Sequence, residues 1–207
     1  MTIGQYAFNG CYGTDGDVET GIGEVVIRNA TMVEKFSFQG CSRLRKLEFA
    51  RTDPTIITRN NNKGFGTGTE TAFYGCPIEE LSIHDNCHLT TLQGYTLASL
   101  FGNQIKTLLI SSGVTEIPVG ALNGLENLQT LTVPFVGIST TAPGRNRSMG
   151  AIFGMKTYGT IDTTTYIAIY EGSNPSATND DTQWIIPKSL ATINVTSDSG
   201  KLPDQAF

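Results

Sequence analysis

The chain is poor in the residue types that usually carry chemistry. It has two histidines, both inside one five-residue stretch, a single tryptophan, and four cysteines spread over 207 residues. With histidine confined to His84 and His88, a Ser-His-Asp or Cys-His set would have to be completed from distant parts of the chain. No Gly-x-Ser-x-Gly occurs, and Gly66-Thr-Gly68 lacks the trailing Gly-Lys-Ser of a phosphate loop. Charge is scarce too, at 16% of residues against the roughly 25% usual for globular domains. Fourteen basic residues face 19 acidic ones, a net charge of −5. That balance excludes a general nucleic-acid or anionic-membrane surface, which needs an excess of Lys and Arg. No apolar run reaches the roughly 18 residues of a membrane span. The opening Met1-Thr2-Ile3-Gly4-Gln5 has neither the basic nor the apolar region of an export signal. What fills the composition is Thr (28) and Gly (23), which favours β structure with tight turns over long helices.

The chain repeats itself. A pattern of apolar-x-x-apolar-x-apolar occurs at Ile22–Ile27, Leu44–Phe49, Ile78–Ile83, Ile105–Ile110, Leu128–Val133 and Leu190–Val195. Its last two apolar residues are two apart, the spacing of one face of a strand. Between these lies a second pattern, complete at Val114-Thr-Glu-Ile117-Pro-Val-Gly-Ala121-Leu122-Asn-Gly-Leu125 and at Leu89–Leu100. Partial copies are Ile3–Cys11, Val33–Cys41, Thr71–Cys76 and Leu202–Phe207. The two alternate, and extra residues fall in Gly-, Asn- and Thr-rich stretches. Such a chain is expected to wind into a stack of coils that bury their apolar faces against one another.

Repeated alternation of the strand pattern with Val-x-x-Ile-x-x-x-Ala-Phe-x-Gly-Cys resembles the BspA-type leucine-rich repeat, over residues 2–135 and 187–207. The resemblance implies a leucine-rich-repeat-like right-handed solenoid with one short strand per repeat and short helical or 3-10 turns opposite. It further implies a surface or secreted protein, mostly bacterial, acting in adhesion and protein binding. The sequence departs from the pattern at 50–70 and at 134–187. In the second interruption, Tyr166–Tyr170 and Gln183–Ile186 read as an inserted β-hairpin, and Ala151-Ile152-Phe153-Gly154 as a degenerate turn. One solenoid domain over 1–207, a piece of a longer protein, is expected.

Strand positions between the core residues should face outward in register. They form one column of Glu24, Lys46, Glu80, Thr107, Thr130 and Thr192, and a second of Val26, Glu48, Ser82, Leu109, Thr132 and Asn194. Solenoids use this face for recognition, so these are candidate binding positions for a protein or glycan, alongside the reading of an ordinary solvated face. Trp184, Tyr158, Tyr166 and Tyr170 form a second candidate patch, unless they pack the hairpin down. Cys11, Cys41 and Cys76 share a repeat position that takes Leu at 100 and 125, and read as small buried hydrophobes. His84-Asp85-Asn86-Cys87-His88 is the one ligand-rich cluster. It reads as a polar turn, with a zinc site and a metal-dependent enzyme centred on His84 and His88 as the competing reading. Thr14–Glu19 reads as a solvated turn without the spacing of a calcium loop. No cofactor and no catalytic set is expected. The first and last residues, Ile3–Phe8 and Leu202–Phe207, stand at the same point of the repeat, which suggests a fragment, end-to-end self-association or improvised caps. The readings to separate are a surface binding module, a structural spacer and the metalloenzyme.

Overall fold

A computed structural model describes residues 2–11, 21–28, 30, 32–50, 70–84, 95–157, 160–169 and 182–196. Six four-residue strands form one parallel sheet: β2 (Glu24–Ile27), β4 (Lys46–Phe49), β5 (Glu80–Ile83), β6 (Thr107–Ile110), β7 (Thr130–Val133) and β11 (Thr192–Val195). Their order across the sheet is their order in the chain. Each is the second half of one apolar-x-x-apolar-x-apolar copy. Two side chains of each strand point in and two point out, because strand residues alternate.

Register follows the repeat. Val25, Leu47, Leu81, Leu108, Leu131 and Ile193 are successive neighbours in one inward column. Ile27, Phe49, Ile83 and Ile110 are neighbours in the next, with Val133 beside Val195. The middle of both columns is buried, and each such side chain contributes roughly 1.5–3 kcal/mol of apolar transfer. At the start of each strand one carbonyl accepts two N–H groups from the next coil. Arg45 and Lys46 donate to Gly23, Glu79 and Glu80 to Arg45, Lys106 and Thr107 to Glu79, Gln129 and Thr130 to Lys106, and Ala191 and Thr192 to Gln129.

Away from the sheet the turns stack as well. Phe8 N–H donates to the Ser37 carbonyl (2.6 Å), Phe38 N–H to Ala72 (2.8 Å), and Leu122 N–H to Ile152 (2.8 Å). Ala151–Gly154 therefore does stand as a further turn of the repeat. Two turns have become short helices, α1 (Leu97–Phe101) and α2 (Gly150–Phe153). Thr96 caps α1 in a reciprocal pair with Ser99. The glycine before Cys41 and before Cys76 is required by the turn: Gly40 and Gly75 have φ of +72° and +75°, and a Cβ on Gly75 would sit 3.7 Å from the Gly40 Cα. The stacked turns carry a column of rings, Phe8, Phe38 and Phe73, with centroids 4.9 and 5.0 Å apart. At the start, β1 (Thr2–Ile3) pairs in parallel with β3 (Met32–Val33).

The interruption forms a three-stranded antiparallel sheet. The central strand is β10 (Thr182–Pro187), flanked by β8 (Met155–Thr157) and β9 (Tyr166–Ile169). A hairpin of β9 and β10 alone is thus an incomplete description, since β8 supplies a third strand. Nor does this sheet stand apart from the stack. Ile185 is fully buried, its N–H donates to the Gly154 carbonyl (3.1 Å), and a Cβ on Gly150 would meet the Trp184 Cβ at 2.5 Å. Ser189 Oγ is bonded to the carbonyls of Glu126 and Leu128.

Candidate functional site: the outward face of the parallel sheet

Both outward columns come together in the expected order. Glu24, Lys46, Glu80, Thr107, Thr130 and Thr192 are successive neighbours, as are Val26, Glu48, Ser82, Leu109, Thr132 and Asn194. All twelve are exposed or half-buried. The face has two chemical halves. Over β2, β4 and β5 it is charged, with three carboxylates (Glu24, Glu48, Glu80) around one ammonium. Lys46 Nζ lies 2.9 Å from Glu24 Oε1, and the Glu24 bond is the main reason the Lys46 ammonium is held above its ordinary pKa. Over β6, β7 and β11 the face carries Thr107, Thr130, Thr132, Thr192 and Asn194. Asn194 Nδ2 donates to Thr132 Oγ1 across the strands (3.3 Å). Val26, 36% exposed, and the half-buried Leu109 supply apolar contact.

Beside these columns stand charges that a strand-by-strand reading passes over. The residue just before each strand forms its own column. In it Glu79 is bracketed by Lys106 Nζ (2.8 Å) and Arg45 Nε (3.5 Å), and the Lys106 bond holds its carboxyl below the usual range. The residue just after β5 is His84, whose Nε2 lies 3.6 Å from Glu48 Oε1. Aligning the six copies beyond their apolar residues reveals the column that holds Arg45, Glu79 and Lys106.

The aromatic patch is a correction. Trp184 and Tyr166 are each only 4% exposed. Trp184 covers Gly150 on α2. Tyr166 Oη donates to Glu126 Oε1 (2.8 Å), and the Lys156 ammonium lies 4.1 Å from its ring centre. Burial, then the acceptor Glu126, pushes the Tyr166 phenol well above its ordinary pKa. These two rings hold the inserted sheet to the stack and offer no contact area to a partner. Tyr158 and Tyr170 lie outside the described residues.

Cys41 and Cys76 are buried and Cys11 is half-buried, all three free thiols. Cys41 Sγ donates to the Phe8 carbonyl (3.1 Å) and Cys76 Sγ to the Phe38 carbonyl (3.0 Å), each reaching back one coil. Burial raises both thiols, Cys76 to about 12. Burial thus favours the neutral thiol over the thiolate, the form that acts as nucleophile and metal ligand. Of the metal cluster, Asp85–His88 lies outside the described residues, as does Thr14–Glu19. Among the described residues no group of three or more metal-ligating side chains converges. A cleft of about 430 Å³ opens between the turn at 71–76 and α1. Its lining, including Phe73, Tyr74, Leu100 and Phe101, has no carboxylate, imidazole or basic side chain for acid–base work. No helix among the described residues is long and apolar enough to cross a membrane.

A family model described as the BspA type leucine rich repeat region matches residues 1–142 in six copies. No curated protein and no solved structure matches the chain significantly. The match covers well over half of the chain, so the chain belongs to the BspA-type leucine-rich repeat family.

Proposed function

We propose that the outward sheet face is a recognition surface for another protein, and that the chain serves as a non-enzymatic binding module of a surface or secreted protein, in adhesion. A repeat-based interaction module is what the family supports in general. The carrying observation is the in-register face itself, twelve outward side chains on six paired strands. A rigid sheet offers them at fixed spacing, so little ordering entropy is lost on binding. On this reading the module is one domain, wound right-handed as crossovers between parallel strands are. With three carboxylates to one ammonium over β2, β4 and β5, that half suits a basic patch on the partner. Thr107, Leu109, Thr130 and Thr132 suit a polar rim around a small apolar contact.

The test is binding of the 207-residue chain to arrayed extracellular-matrix proteins and to a glycan array. Glu48→Lys with Leu109→Asp should abolish binding to a protein ligand, and unchanged circular dichroism would confirm the fold. Tyr74→Ser, on the turn side, should leave binding intact. Binding untouched by the sheet-face change refutes the assignment. No ligand on either array leaves the spacer as the better reading, and retention on glycans alone replaces the protein partner by a carbohydrate.

A further inference from the structure

Two coils of the stack meet at their cysteines as closely as at their strands. The turn at 35–40 lies on the turn at 70–75, with Phe38 N–H on the Ala72 carbonyl and Gly40 N–H on the Tyr74 carbonyl, both 2.8 Å. The Phe38 and Phe73 rings lie parallel with centroids 5.0 Å apart. At the residue before each cysteine, a Cβ on Gly75 would sit 3.7 Å from both the Cα and the N of Gly40, which brings the two glycine Cα atoms within about 5 Å of each other. That is the spacing of neighbouring strands, roughly 4.8 Å, and it carries on into the next residue of each coil. One carbonyl ties those residues together: Phe38 accepts from the Cys41 N–H (3.2 Å) and from the Cys76 thiol (3.0 Å). The Cys76 sulfur therefore rests against the backbone of Cys41. Each thiol is also among the hydrogen-bonding neighbours that perturb the other. A disulfide spans Cα atoms about 4.4–6.8 Å apart, a window into which two residues stacked one coil apart fall.

We propose that Cys41 and Cys76, free thiols in the structure, are an oxidisable pair whose disulfide staples two neighbouring coils together. Cys76 already aims its sulfur at the coil of Cys41. Cys41 aims its own at the Phe8 carbonyl (3.1 Å), and a change of χ1 from one staggered well to another turns it toward Cys76. The oxidant is a low-molecular-weight disulfide. One cysteine, as thiolate, attacks it, forms a mixed disulfide and releases one small thiol. The other cysteine, as thiolate, attacks the protein sulfur of that mixed disulfide and releases the second small thiol. The two protons lost by the protein leave on the two small thiols, so two cysteines are oxidised and one small disulfide is reduced. Burial favours the neutral thiols in the stacked coils, so the exchange takes place during folding, before the coils close over them. The bond closes a loop over residues 41–76, which holds β4 and most of the connector to β5. Closing a loop of that length removes freedom from the unfolded chain, and the two coils are held together whatever the sheet face binds.

Refolding the 207-residue chain from urea into oxidised and reduced glutathione tests this, followed by alkylation and a non-reducing peptide map. The map should join the peptide of Cys41 to that of Cys76. The melting temperature of the oxidised chain should stand about 5 °C or more above that of the same chain kept reduced. Cys41→Ser and Cys76→Ser should each abolish that gain on oxidation, and Cys11→Ser should keep it. Because the two redox states are compared within each variant, the packing cost of the substitution itself cancels. A map in which Cys41 and Cys76 carry only alkyl groups or glutathione, a link from Cys41 to Cys11 or Cys87 in its place, or an oxidised chain that melts no higher than the reduced one each overturns the proposal.

Discussion

The inward column Val25, Leu47, Leu81, Leu108, Leu131, Ile193 is a ruler for how far cooperativity reaches in this stack. Leu108 is wholly buried between Leu81 and Leu131. Leu108→Ala removes three carbons from a site flanked on both sides by coils whose backbones are fixed by paired bonds to Glu79 and Lys106. The cavity cannot collapse easily, so the cost should be about 3 kcal/mol. For a chain of this size that is a fall in melting temperature of about 6–12 °C. Ile193 has a neighbouring strand on one side only among the described residues and is half-buried. Ile193→Ala should cost about 1 kcal/mol, within the range of a partly exposed change. Urea unfolding followed by circular dichroism measures both, with m checked for each variant. Equal costs at 108 and 193, or a cost under about 1 kcal/mol at Leu108, would refute the account of a core shared between coils.

Three further outcomes follow from the same contacts. Iodoacetamide at pH 8 should leave Cys41 and Cys76 unmodified in the folded chain and label them in urea, as mass spectrometry of tryptic peptides would show; rapid native labelling would contradict their burial. Asp162 accepts from Thr164 N–H (2.9 Å), Thr164 Oγ1 (2.6 Å) and Thr165 Oγ1 (2.7 Å), which hold its carboxyl at about 2 rather than 3.8. A depressed folded value means that its contribution is whole above the unfolded pKa and lost as pH falls through about 2. Asp162→Asn should therefore flatten the decline of melting temperature between those values, and an unchanged acid limb would count against the turn. Gly150→Ala drives a Cβ to 2.5 Å from Trp184. It should cost about 1–3 kcal/mol and shift tryptophan fluorescence to the red, whereas an unaltered spectrum would show that Trp184 does not seal α2.

The parallel sheet could be read residue by residue, because each strand's register is fixed by which of its side chains must be buried. Leu47 beside Leu81, and Glu48 beside Ser82, follow from spacing alone. Cys41 and Cys76 were equally legible, since Leu takes their place at residues 100 and 125. The inserted sheet was half legible. Tyr166–Ile169 alternates, but Met155-Lys156-Thr157 has no periodicity to mark it as a strand. The fate of Trp184 was closed to sequence reasoning. A large ring at the head of a short apolar run fits a hot spot or a lid equally well, and the choice turns on Gly150, thirty-four residues earlier, leaving a hollow for it. The bracketing of Glu79 by Arg45 and Lys106 falls one residue before each strand, outside the positions whose facing the strand alternation fixes.

Alignment of strand with strand is indifferent to the length of chain between them. Residues 111–129 separate β6 from β7, residues 50–79 separate β4 from β5, and residues 134–191 separate β7 from β11, yet every pair meets without slippage. A connector can therefore grow without moving the strands it joins, because the pairing is set by what each strand buries and not by the length of chain between them. The result is a board of fixed squares whose spacing survives any change in the loops behind it, with neighbouring squares tied to one another only through pairs such as Glu24 with Lys46.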